Sequence, residues 1–171
     1  MNTPQRQSGQ KQSGFPRARH DHESCFADAL AAALRIAKER NLKLTPLRRS
    51  VLEIVLASHA PLGAYDILAE LSRRDSDARP APPTVYRALE FLQTHGFVHR
   101  IESRNAYAAC FAPATKHRNH FLLCTRCGRA AELDDTNLAR ALARAAANAG
   151  FAPAHETVEI AGLCAACAEN S

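Results

Sequence analysis

The sequence predicts an α+β chain in two parts, an N-terminal winged helix-turn-helix followed by a small αβ module with a four-cysteine zinc site. Two observations carry that prediction. Helical apolar periods fill residues 25–95 and then give way to two short strand patterns about a polar turn. Two Cys-x-x-Cys pairs, Cys124 with Cys127 and Cys164 with Cys167, supply four thiols, the full tetrahedral shell of a structural zinc. An ion bridging the pairs would close the 36-residue segment between them and tie down the C-terminal end.

The elements follow in order. Residues 1–24 are rich in Gln, Ser, Gly and Arg without apolar periodicity, and read as a disordered arm, either a solubilising tail or a nonspecific DNA contact. From Cys25, the residues Phe26, Leu30, Ala33, Leu34 and Ala37 recur at three and four, and Asn41 ends that helix. Thr45-Pro46 is an N-cap with proline at the first helical position, opening a stripe of Leu47, Val51, Ile54 and Val55. Ala60-Pro61-Leu62-Gly63 breaks it, and Ala64 to Arg73 is a third helix with Ile67, Leu68 and Leu71 inward. After a polar loop over 74–80, Pro82-Pro83-Thr84 launches a fourth helix to His95, with Val85, Leu89 and Leu92 on one face and Gly96 as its stop. Phe97–Ile101 and Asn105–Phe111 read as the two strands of a wing, placing this DNA-binding module at 25–111.

The module at 112–171 begins with a strand at Phe121-Leu122-Leu123, which leads into the first cysteine pair. A strand at Ala130–Leu133 follows, then a helix capped by Asp134-Asp135-Thr136 and closed by Gly150, then a strand at Thr157–Ile160. It has too few residues for a comfortable isolated core; zinc and dimerisation are the usual remedies.

Charge and composition narrow the function. Of the formal net +5, residues 1–24 hold +2, residues 25–108 hold +3 and residues 109–171 none, so the excess lies where a polyanion would be met. No apolar run approaches the roughly 20 residues of a membrane span, and the first residues lack the apolar core of an export signal. A cytoplasmic, reducing compartment is expected, in which paired cysteines hold metal more often than they form disulfides.

Two constellations carry chemistry. Thr84, Tyr86 and Arg87 lie at the start of the fourth helix on its outward face, where helix N-termini favour phosphates and an arginine can fork onto a guanine. Arg87 is alternatively an ordinary solvated residue, and Tyr65, opening the preceding helix, either reaches DNA or packs through its ring. Apart from the paired cysteines, a hairpin about 103–105 sets His99 opposite Cys110 or one register away. With His117 and Glu132 these would give one thiolate, two imidazoles and a carboxylate, a set suited to zinc that joins the wing, the linker and the second module. His120 and His155, with or without an acid, are candidates for a third metal site in the C-terminal module.

Leu44-Thr45-Pro46-x-Arg48, Ala64-Tyr65-Asp66-Ile67-Leu68, Pro82-Pro83-Thr84-Val85-Tyr86-Arg87-Ala88-Leu89 and Gly96-Phe97-Val98-His99 resemble the ferric uptake regulator superfamily over residues 25–168. Gly96–His99 with Cys110, and Gly162-Leu163-Cys164-Ala165-Ala166-Cys167, resemble its zinc uptake regulator branch. The resemblance implies a homodimeric repressor of zinc-uptake genes, not an enzyme, with a C-terminal dimerisation domain and zinc as corepressor on a palindromic double-stranded operator. By position it assigns Cys124, Cys127, Cys164 and Cys167 to structural zinc, and His99, Cys110, His117 and Glu132 to regulatory zinc. Tyr65 and Arg87 match its DNA-contacting positions. His117-Arg118-Asn119-His120 replaces the denser histidine run of the iron-sensing branch. Iron or peroxide sensing, a constitutive zinc-stapled DNA binder and a thiol redox enzyme are the rival readings; no membrane and no small organic substrate are expected as partners.

Overall fold

A computed structural model of the chain describes residues 15, 22–75, 80–114 and 119–169. Nearly all of the expected arm, the centre of the loop at 74–80, and His117 lie outside these residues.

The first helix, α1 (His22–Glu39), starts three residues before the predicted Cys25. Next comes α2 (Pro46–Leu56), where the Thr45 side chain accepts from the Arg48 N–H as the Thr-Pro pair requires. The strand β1 (Leu62–Gly63) leads straight into α3 (Ala64–Arg74), and α4 (Pro82–Thr94) carries its proline pair in the first turn. Leu52, Val55, Ile67, Leu89 and Leu92 are essentially inaccessible and hold these helices together as one apolar core. Arg48 adds a cation–π contact, its guanidinium carbon 3.6 Å from the Phe91 ring centroid, which ties α2 to α4.

The wing is β2 (Val98–Ile101) and β3 (Ala106–Ala109), joined by a 3₁₀ turn at Glu102–Arg104 and by Asn105 in the left-handed region at φ 45°. The expected two-stranded ribbon is a three-stranded sheet in the order β1-β3-β2. Two-residue β1 pairs Leu62 with Tyr107, and is too short to show any alternation in sequence. His99 stands opposite Ala108, not Cys110; Cys110 lies diagonally across on the same face, its N–H donating to the Phe97 carbonyl.

The second module is built on β4 (Asn119–Cys124), β5 (Ala130–Glu132), α5 (Thr136–Asn148) and β6 (Thr157–Gly162), followed by the one-turn helix α6 (Ala165–Ala168). The strand order is β5-β4-β6, with β5 antiparallel and β6 parallel to β4. Phe121 on β4 is the partner of Glu132 on one side and of Glu159 on the other, so these three residues make one row across the sheet. Adjacent members of such a row present their side chains to one face. That face meets the wing: Ile101, Phe121 and Leu123 form a small buried cluster with Ala108 and Ala130 against it.

Candidate functional site

The parallel register of β4 and β6 explains how two distant cysteine pairs meet. Cys124 ends β4 beside Gly162, and Cys164 follows two residues after. Cys127 lies in the turn closed by the Gly128 N–H on the Cys124 carbonyl at 3.2 Å, with Gly128 at φ 75°. Cys164 caps α6, whose first turn returns Cys167 to the group. The four sulfurs lie within 4.8 Å of one another and none is in a disulfide. A zinc tetrahedron with Zn–S bonds of about 2.3 Å has sulfur–sulfur edges of about 3.8 Å, and Cys127 and Cys164 stand 3.9 Å apart.

The protonation chemistry agrees with that geometry. The Cys124 thiol is lowered to about 5, first by the Cys127 backbone N–H and then by the Cys164 N–H. Cys167 is pushed up to about 12 by its hydrogen bond with Cys164 and by burial. The cage therefore prepares one thiolate, and crowding blocks ionisation of the next unless a cation enters. The donor set fits zinc.

His99 of β2, Cys110 just beyond β3 and Glu132 at the end of β5 bring a second group of donor atoms within 4.8 Å of one another. His99 Nε2 is 3.3 Å from Glu132 Oε1, and the imidazole packs on Phe121 with ring centroids 5.4 Å apart. His99 and Cys110 are buried. Burial pushes the Cys110 thiol up, and the Glu132 carboxylate pushes it further. One imidazole, one thiol and one carboxyl in a dry site match the preferences of zinc, whose charge would offset the thiolate that this site otherwise resists. His117, the expected fourth ligand, lies outside the described residues.

Of the expected grouping of His120 and His155 with or without an acid, the structure brings an acid to His120. His120 is fully buried, but its Nε2 is 2.5 Å from Glu156 Oε1, while His155 is exposed. Among the described residues only the two groups above gather three or more donor atoms, and neither contains His120 or His155. Glu156 immediately precedes β6, and the register of His120 with Val158 brings its carboxylate to the ring.

Thr84, Tyr86 and Arg87 are all exposed in the first turns of α4, while Val85, Ala88 and Leu89 are buried behind them. Tyr65 is 70% exposed at the start of α3, which sets aside its packing alternative. Sequence reasoning missed Arg104 and Glu159, which contact the opposite module. Both are polar, lie outside any metal-ligand spacing, and have partners too distant in sequence to be inferred.

The family model of the ferric uptake regulator family matches residues 39–161. The chain is 41% identical over 144 residues to the zinc uptake regulation protein of Escherichia coli (strain K12), covering 83% of this chain and 82% of that one. A solved structure of a zinc uptake regulator complexed with zinc and DNA matches with a TM-score of 0.78 and 39% identity, over 85% of this chain and 96% of that chain. Holo XcZur matches with a TM-score of 0.72 and 43% identity, over 82% and 96% of the two chains. Apo XcZur gives 0.52 at 40% identity, over 85% and 99%.

Because the four thiols close the second module, Cys164→Ser should cost the protein its tightly held zinc and unfold that module. Metal analysis after gel filtration, with circular dichroism, checks this; a variant that keeps both its zinc and its melting curve would contradict it.

Proposed function

The chain belongs to the ferric uptake regulator family, and we propose that it is a zinc-responsive repressor of zinc-uptake genes that reads a palindromic operator as a homodimer. The observation that carries this reading is the second donor group. His99 comes from the wing, Cys110 from the segment leaving it and Glu132 from the second module. An ion held by all three requires the two modules to stand at one angle.

Residues 25–111 then serve as the reading module and 112–171 as the dimerising one, in the cytoplasm, with no enzymatic role. Thr84, Tyr86 and Arg87 on α4, with Tyr65 on α3, face outward to meet the duplex. Phe151, Ile160 and Leu163 of the second module are large apolar side chains left exposed in one chain, a surface that a second copy would cover. Cys124, Cys127, Cys164 and Cys167 would hold the structural zinc, and His99, Cys110 and Glu132, with His117, the regulatory one.

The regulatory ion supplies positive charge that lets Cys110 ionise beside Glu132 and rewards convergence of the donors. His99, Cys110 and Glu132 thereby favour the closed arrangement over every arrangement that separates them. Moving a population from 1:99 to 99:1 requires about 5.5 kcal/mol of differential binding. Structural zinc sites reach about 10–16 kcal/mol, so three or four donors are adequate. The closer likeness of this chain to holo than to apo XcZur supports a closed form. A thiol donor among the ligands favours zinc over the harder ions that carboxylate-rich sites take.

Cys110→Ser should remain folded and keep the zinc of the four-thiol site, yet lose zinc-dependent operator binding. A gel shift with and without chelator tests it, and wild-type zinc dependence in the variant would defeat the clamp. Arg87→Ala should weaken specific binding by about 1–3 kcal/mol if the guanidinium reads a base. An equal loss on random DNA would assign Arg87 to a phosphate instead.

A further inference from the structure

The two modules are fastened at a second place, away from the donor atoms of the regulatory group. Glu159 on β6 accepts from the backbone N–H of Glu102 at 2.6 Å and of Ser103 at 3.1 Å, one bond to each carboxylate oxygen. Arg104, in the same turn, donates in the opposite direction: Nη1 to the Gly128 carbonyl at 2.6 Å and Nη2 to the Cys124 carbonyl at 3.0 Å. Cys124 and Gly128 bound the turn that carries two of the four thiols.

Four charge-assisted hydrogen bonds thus join the wing tip to the second module, and both charged groups are partly shielded from water. Burial alone would raise the Glu159 carboxyl, but the side chain and backbone of Ser103, the Glu102 backbone and the Arg104 charge outweigh it and hold it below its usual value. The carboxylate is therefore the form this contact favours. Glu159 shares its cross-sheet row with Phe121 and Glu132, so this contact and the regulatory group brace the same hairpin from the two ends of one row.

We propose that Glu159 and Arg104 are positioning residues that form a latch between the wing tip and the cysteine turn, and that this latch sets the free-zinc concentration at which the protein binds its operator. The inference rests on the proposed zinc-responsive repressor. A ligand that binds only the closed arrangement has an apparent affinity reduced by the closed fraction. The latch raises that fraction before regulatory zinc arrives. It also joins the two metal sites mechanically, because the acceptors of Arg104 keep their places only while the cysteine turn keeps its shape.

The test uses full-length wild type, Glu159→Gln, Arg104→Met and Arg104→Lys, each with the four-thiol site loaded, titrated across buffered free zinc with fluorescent operator DNA. Loss of one charged hydrogen-bonded contact is expected to raise the half-saturating free zinc about tenfold in Glu159→Gln and Arg104→Met. Arg104→Lys, which can reach one carbonyl, should fall between these and wild type. Without DNA, chelator competition should show the weaker of the two zincs loosened by a similar factor, because the coupling is reciprocal. The tightly held zinc and the melting curve should stay as in wild type. A purely structural role would lower the active fraction without moving the midpoint, and midpoints equal to wild type would overturn the latch. Wild type that binds the operator independently of zinc would instead overturn the repressor reading itself.

Discussion

One row across the second sheet, Glu132–Phe121–Glu159, carries the joint between the two modules. Each member meets the wing differently. Glu132 offers a carboxylate to His99 and Cys110, Phe121 buries its ring against His99 and the Ile101 cluster, and Glu159 grips the amides of the turn. Strand pairing fixes the spacing within the row, and the hairpin pairing fixes the spacing of what it meets. The angle between the modules is the remaining variable, and only one angle satisfies all three contacts together.

The contacts are not equivalent in cost. The apolar contact at Phe121 and Ile101 is favourable without assistance. The contact at Glu132 is the reverse, since a buried thiol facing a carboxylate repels its own ionisation. That arrangement stays poor until a cation arrives, as the proposed regulatory role requires. A site comfortable when empty would close without its signal. In the four-thiol cage, backbone N–H groups from Cys127 and Cys164 stabilise one thiolate at Cys124, while the cysteine neighbours of Cys167 push its thiol up, so full ionisation there also waits on a cation. The two donor sets thus fit the proposed division into a structural zinc and a regulatory one.

Much of this was legible in the sequence, and what was not has physical causes. The helices were readable because each buries one apolar stripe and carries its own stop and start signals, as at Thr45-Pro46. The paired cysteines announced a metal by spacing, but their meeting depends on the parallel register of β4 and β6, a long-range pairing with no local trace. The second donor group was read from residue types and order, and the hairpin left open whether His99 faces Cys110 or stands one register away; the strand pairing sets Ala108 opposite His99, with Cys110 on the diagonal. The acid that meets His120 is Glu156, delivered by the long-range register of β4 and β6, which leaves no local trace in the sequence. Arg104 and Glu159 were invisible, since polar residues in turns and on edge strands carry no periodicity.

The central claim is that regulatory zinc fixes the angle between the wing and the second module. It is tested most directly by pulsed-EPR distances between probes on the exposed faces of α3 and α5 in the full-length protein, with the four-thiol site loaded and free zinc stepped upward. The account predicts a broad distribution that narrows to the closed distance over the zinc range in which operator binding appears. An unchanged distribution across that range would contradict it.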